Sequence, residues 1–191
     1  MVAIQETIKG SNLSPEEYLT QEEKALTKHE YINGEVYEMA GASSAHVTIS
    51  LNVASLLKAH LKGSNCRVFI SDMKVRIDRL NVFYYPDVIV TCNEKDRELN
   101  YYKKAPQIII EVLSESTESF DRGDKFADYR TIETLQEYVL ISQTKKRVDL
   151  FTRKNCNSWE LSSFSEGEKL TLNSINFTCS VLDLYEDIDV K

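Results

Sequence analysis

Glycine and proline are scarce in this sequence, six and three among 191 residues. A chain so poor in natural breakpoints offers no interdomain linker, and with no repeat or low-complexity tract it reads as one domain over 1–191. No run approaches the roughly 18 apolar residues of a membrane span. The opening MVAIQETIKG also lacks the basic segment and apolar stretch of a targeting signal, so the expectation is a cytoplasmic protein with no membrane partner. Cysteine is sparse and scattered: Cys66, Cys92, Cys156 and Cys179 form no CxxC pair, and there are only three histidines. That pattern argues against a zinc centre, and all four cysteines are read as reduced thiols. Basic residues are outnumbered 23 to 30, for a formal charge of −7. Binding of nucleic acid or anionic lipid through bulk charge is thereby excluded, and any phosphate site must be a local patch.

What is present suffices for a core, since a folded chain of this length buries roughly 70% of its unfolded surface. Ser14-Pro15-Glu16-Glu17 announces a first helix, with Ser14 as cap, Pro15 at the first helical position and Glu17 closing a capping box; it is expected to run to about Thr27. Asn33-Gly34, between Glu30-Tyr31-Ile32 and Glu35-Val36-Tyr37, can take the positive φ angles of a tight hairpin. Val47, Leu51, Ala54, Leu57 and Leu61 recur at helical spacing, which predicts a helix over 44–61 buried along that stripe and ended by Gly63. Strands are expected at Cys66–Ile70, Met73–Ile77, Pro86–Thr91 and Gln107–Leu113, followed by a helical segment around Phe120–Ile132. Strands resume at Tyr138–Ile141, Val148–Phe151, Trp159–Phe164 and Ser174–Phe177, before a short closing helix at Val181–Tyr185. The order implies an α/β fold with a mixed sheet and helices on both faces.

The run QIIIEVL is apolar on both alternating faces except at Glu111, so it reads as a central strand covered on two sides. An ionised carboxylate there costs on the order of several kcal/mol unless a cation or donor meets it. Asp87, just after Pro86 at the start of another apolar strand, supplies a second carboxylate, and two such groups on neighbouring strands can clamp one divalent ion. Lys125, on the helical segment that follows the Glu111 strand, adds the cation that phosphodiester hydrolysis calls for beside the phosphorus. No GxSxG elbow or Gly-rich phosphate loop offers a competing chemistry.

With Pro86-Asp87-Val88-Ile89-Val90, Glu111-Val112-Leu113-Ser114, Asp121-Arg122-Gly123-Asp124-Lys125, Tyr129 and Glu137-Tyr138 in view, the chain resembles the PD-(D/E)XK nuclease superfamily, and within it the Uma-two family of restriction-endonuclease-like proteins. The resemblance covers roughly 15–155 and takes in Asn33-Gly34-Glu35 and His46. It implies a restriction-endonuclease-like mixed central sheet flanked by helices, with an N-terminal hairpin, a core over about 30–155 and a C-terminal β extension over about 156–191. It makes Asp87, Glu111 and the backbone carbonyl of Val112 ligands of Mg²⁺, with Mn²⁺ as an alternative ion, and Lys125 the essential basic residue. Leu113 stands where the superfamily's simplest form has lysine, so Lys125 resembles the lysine of members that carry it on the following helix.

Glu35 and His46 are weaker catalytic candidates, each able to complete a metal shell or position water, and Tyr129 is either a site residue or packing. Asp72 reads as a turn acid, and Asp121, Arg122 and Asp124 as helix-start caps and ion pairs, with Arg122 in reach of a phosphate. Asn93–Lys104 reads as an exposed loop with Lys95, Lys103 and Lys104 free for backbone phosphate. The expected activity is metal-dependent hydrolysis of DNA. A homodimer paired through Trp159 and Phe164 would compensate for the acidic charge. The alternative is a non-catalytic nucleic-acid-binding or scaffold protein on the same fold.

Overall fold

The computed structural model describes residues 12–190, so the first ten residues, read above for a targeting signal, lie outside it. In chain order the elements are α1 (Pro15–Glu22), β1 (His29–Ile32), β2 (Glu35–Glu38), α2 (Ser44–His60), β3 (Arg67–Ile70), β4 (Lys74–Ile77), β5 (Val82–Tyr84), β6 (Val88–Thr91), β7 (Tyr102–Lys103), β8 (Ile108–Leu113), α3 (Glu118–Arg122) and α4 (Asp124–Tyr129). The C-terminal part adds β9 (Glu137–Ser142), β10 (Arg147–Arg153), β11 (Trp159–Ser165), β12 (Lys169–Leu172), β13 (Phe177–Ser180) and α5 (Val181–Leu184). Ser14 caps α1 in the expected reciprocal box with Glu17, but the helix stops at Glu22, five residues short of expectation. Thr27 and Lys28 instead lead into β1, whose hairpin with β2 turns through Asn33 and Gly34 at φ 51° and 98°. Both central residues thus take the left-handed values that a two-residue hairpin requires.

A six-stranded mixed sheet in the order β11-β10-β9-β8-β6-β3 forms the centre. β8 lies inside it, antiparallel to β6 with Val88 opposite Ile110, and parallel to β9 with Glu111 opposite Leu140. All six β8 residues are buried, which is why its sequence is apolar on both faces. On one face α2 and the β12–β13 hairpin with α5 pack on Val88, Val90, Ile108 and Ile110. On the other, Tyr129, Ile132, β4 and β5 close over Ile89, Ile109, Tyr138 and Leu140. A second sheet, β2-β1-β5-β4-β7, had no counterpart in the sequence reading, because β5 and β7 have only three and two residues.

Several expectations are corrected. Of the expected α2 stripe Ala54, Leu57 and Leu61 are buried, but Val47 and Leu51 are exposed, and Ile49 and Val53 are buried instead. Cys66 and Cys92 are joined in a disulfide rather than reduced. Arg67 pairs with Thr91 across β3 and β6, so these cysteines flank the ladder at directly opposed positions. In the 93–104 segment Asp96 and Lys103 are buried: Asp96 accepts from Thr91 Oγ1 and the amides of Lys104 and Ala105, and Lys103 donates to the carbonyls of Asp96 and Leu99. Among the described residues the Lys95 ammonium takes no partner, whereas Lys104 pairs with Asp78. Ser174–Phe177 is largely a short 3₁₀ turn before β13. Trp159 and Phe164, offered above as a pairing surface, pack on the chain's own cores, with the Arg153 guanidinium 4.5 Å from the Trp159 ring. Among the described residues no helix is long and apolar enough to cross a membrane.

Candidate active site

β6 and β8 run side by side, and their register sets Asp87, just ahead of β6, against Glu111 and Val112. Asp87 Oδ2 accepts the Val112 amide at 2.7 Å, and the Asp87 amide donates to Glu111 Oε2 at 3.3 Å. Each carboxylate is thus fixed by a backbone amide across the strand pair, Asp87 by that of Val112 and Glu111 by that of Asp87, before any side chain arrives.

Lys125 enters from α4. The helical segment foreseen over 120–132 is broken at Gly123, whose ψ of −97° separates α3 from α4. A Cβ at Gly123 would sit 3.0 Å from the Ser119 carbonyl oxygen, so the tight break favours glycine. From α4 the Lys125 ammonium reaches Glu30 at 3.0 Å, Glu111 at 3.4 Å and Asp121 at 3.6 Å. The Tyr84 ring centroid lies 5.4 Å from it, and the Tyr129 hydroxyl donates to the same Glu111 oxygen at 3.2 Å. His46, near the N-terminus of α2, places Nε2 2.7 Å from Asp87 Oδ1.

The electrostatics of this cluster are unbalanced. Glu30, Glu111, Asp121 and Lys125 are all buried, giving three carboxylates around a single ammonium, with half-buried Asp87 beside Glu111. Burial is the main force pushing the Glu111 carboxyl well above its ordinary value; Asp121, Asp87 and Glu30 add to it and Lys125 opposes it. Burial likewise raises the Asp121 carboxyl against the pull of Lys125. For Lys125 burial would lower the ammonium, but Glu111, Glu30 and Asp121 outweigh it and hold the group firmly protonated. A buried excess of negative charge of this kind is relieved by protons or by a cation.

The donor set fits a hard divalent ion. Mg²⁺ is held by one or two carboxylates plus water and phosphate oxygens rather than by an all-protein cage. Asp87 and Glu111 offer those two carboxylates, and the Asp87 side chain retains 17% exposure toward solvent. Among the described residues no three His, Cys, Asp or Glu side chains converge as a complete metal cage.

Of the residues singled out from sequence, the structure brings together Asp87, Glu111, Val112, Lys125, His46 and Tyr129. It does not bring Glu35 to them: that carboxylate is exposed and accepts from the Tyr37 hydroxyl at 2.5 Å. The glutamate that does reach the cluster is Glu30 on the preceding strand, which also accepts the Tyr85 amide at 3.2 Å. β1 is internal to its sheet, between β2 and β5, so a residue there is covered where one on edge strand β2 is not. Asp121 forms an ion pair, as expected, and its partner is Lys125 four residues on, which places it in the cluster. Arg122 spans Glu118 at 2.7 Å and buried Asp149 at 2.8 Å, which engages it within the fold. Asp72 pairs with Lys28 on the surface, as a turn acid would.

A family model described as "Putative restriction endonuclease", Uma2, matches residues 15–182. Uncharacterized protein slr1290 of Synechocystis sp. is 37% identical over 188 residues, 98% of this chain and 99% of that protein. Uncharacterized protein sll1609 of the same organism is 38% identical over 151 residues, 78% of this chain and 85% of the other. Among solved structures, one titled as a putative nuclease belonging to DUF820 from Anabaena variabilis superposes with a TM-score of 0.71 at 19% identity, covering 91% of this chain and 98% of that one. At that identity the likeness is one of fold, and it agrees with the mixed α/β architecture read from the sequence.

Proposed function

The chain belongs to the Uma2 family, and from that membership we propose that it is a Mg²⁺-dependent endonuclease that hydrolyses phosphodiester bonds in DNA, with Mn²⁺ as a substitute ion. The observation that carries the reading is that Lys125 meets Glu111, itself bonded to Asp87, in a buried cluster with more negative charge than its one ammonium can balance.

In this reading the carboxylates of Asp87 and Glu111, with the Val112 carbonyl oxygen, hold the ion. Once bound, it supplies Lewis acidity at the scissile phosphate and a lowered pKa for an attacking water. Lys125 stays protonated because Glu30 and Asp121 face it, and its ammonium offsets charge that develops on the phosphoryl oxygens. Glu30 and Asp121 act through Lys125 and are positioning residues. His46 holds Asp87 Oδ1 and so fixes the direction in which the other carboxylate lone pairs point. Tyr84 and Tyr129 close the apolar side of the pocket and exclude water from the ammonium.

The test is calorimetric titration of Mg²⁺ and Mn²⁺ into the wild type and Asp87→Ala/Glu111→Ala protein, with cleavage assays on duplex, single-stranded and branched DNA. Metal binding and cleavage should vanish together in the variant. A folded wild type that binds neither ion and cuts none of these substrates would replace the hydrolase by the non-catalytic scaffold.

A further inference from the structure

Away from the carboxylate cluster, a groove of ≈ 640 Å³ opens beside the C-terminal end of α2 and the start of β3. Its charged lining residues are Lys58, Lys62, Arg67 and Arg97, with no carboxylate among the lining side chains, on a chain whose net charge is −7. All four cations are exposed, and among the described residues none of them takes part in an ion pair. The helix C-terminus accounts for the placing of Lys58 and Lys62. It does not account for Arg67 and Arg97, which come from a strand and a short 3₁₀ turn. Arg97 is held in place by the Asn65 carbonyl and side-chain oxygens at 3.4 and 3.2 Å.

The groove continues. A second depression of ≈ 470 Å³ shares Ser55, Lys58 and Val68 with the first and runs on between α2 and β3 past Phe69, Ile70 and Met73, with Asp72, paired to Lys28, also in its lining. Its far end adjoins the active site, because Ile70 pairs with Val88 and the Ser71 amide donates to the Asp87 carbonyl at 3.0 Å. Lys58 follows His46 by twelve residues on α2, about 18 Å at the helical rise.

From this we infer that the α2–β3 groove binds a single nucleic-acid strand, its phosphates on Lys58, Lys62, Arg67 and Arg97 and its bases over the apolar stretch that leads to Asp87. Charge complementarity selects a polyanion, and the apolar floor selects one with exposed bases, since a duplex keeps its bases stacked inside and presents only phosphate and groove edges. The inference deepens the hydrolase reading and rests on it for the direction of the strand toward Asp87, but binding is measured apart from cleavage.

The experiment follows fluorescence anisotropy of a labelled single strand of about 20 nucleotides, and of the matching duplex, in EDTA over a range of salt. The proteins are wild type, the quadruple variant Lys58→Gln/Lys62→Gln/Arg67→Gln/Arg97→Gln, and the surface control Lys145→Gln. Circular dichroism melting checks that each is folded. The wild type should prefer the single strand. The quadruple variant should bind it at least about 10-fold more weakly, with a salt slope shallower by about 2 to 3, at roughly 0.7 for each phosphate no longer neutralised. Lys145→Gln should match wild type. Unchanged affinity and slope in the quadruple variant would overturn the inference, as would equal weakening by the control or equal binding of the duplex. Wild type that binds inorganic pyrophosphate through these cations but no strand would also overturn it, leaving a small-anion site. Groove-dependent binding by a wild type that cuts nothing in Mg²⁺ would remove the hydrolase and leave the groove; cleavage that the quadruple variant retains in full would do the reverse.

Discussion

The Lys125 ammonium lies closer to Glu30, at 3.0 Å, than to Glu111, at 3.4 Å. The lysine is therefore anchored by a strand of the second sheet while it serves a carboxylate of the first. That arrangement couples the two sheets at the site and makes Glu30 as important to the lysine's position as its own helix is.

Removing the cation leaves three carboxylates facing one another without a counter-charge. Lys125→Ala should lose about 3 to 5 kcal/mol in urea unfolding, the usual cost of stripping one partner from a buried pair. Lys125→Ala/Glu30→Gln should recover part of that loss because one of the orphaned charges is gone. Additive losses in the double-mutant cycle would show that the two residues do not interact.

The two glutamates flanking the hairpin should behave oppositely. Glu35→Gln, altering an exposed side chain on an edge strand, should leave stability within about 0.5 kcal/mol of wild type and cleavage unchanged. Glu30→Gln should lower cleavage through a misplaced Lys125. His46→Ala should weaken Mg²⁺ binding by about 10- to 100-fold in calorimetry, as removal of a group that orients a metal ligand does. Equal effects of Glu30→Gln and Glu35→Gln on kcat would contradict the assignment.

Asp149 supplies a pH dependence two strands across from Glu111, opposite the Leu140 that Glu111 also faces. Burial alone would raise its carboxyl, but donors from Ser163, Arg122 and Arg147 together hold it below the usual carboxylate range. Because the folded-state value lies below the unfolded one of about 3.9, this group's contribution is complete above that value and is lost as the pH falls through the folded one. Asp149→Asn should cost about 1 to 3 kcal/mol at neutral pH. The gap to wild type should narrow below about pH 4. Urea melts of both proteins at pH 7 and pH 3 read it directly; a constant gap would exclude the linkage.

The Cys66–Cys92 bridge closes a loop of 26 residues between opposed strand ends. Cys66→Ser/Cys92→Ser should lower stability by up to about 3.5 kcal/mol if the stabilisation is the lost loop entropy of the unfolded chain. Mass spectrometry with and without reductant should show the two-proton difference at this pair only, leaving Cys156 and Cys179 as thiols.

Much of the fold is written locally. The Ser14–Glu17 capping box and the Asn33-Gly34 turn depend on a few neighbouring residues and formed where the sequence announced them. The QIIIEVL run declared both the central position of its strand and the anomaly of Glu111, because burial on two faces leaves only one kind of sequence. Fold class and family follow from those features and the carboxylate and lysine spacing around them.

Other features waited on packing. α2 carries apolar residues on two overlapping stripes, and only docking on the central sheet selected Ile49, Val53 and Leu57 over Val47 and Leu51. Asn93–Lys104 has the charge of a solvated loop, yet Asp96 and Lys103 are buried because backbone groups of the same segment satisfy them. The cysteines are 26 residues apart in sequence, and only the β3–β6 register makes them opposed. Glu30 and Glu35 are indistinguishable in the hairpin itself. The three-residue strand β5 made β1 internal and brought Glu30 to Lys125, since sequence period fixes which face a strand residue takes but not what covers that face.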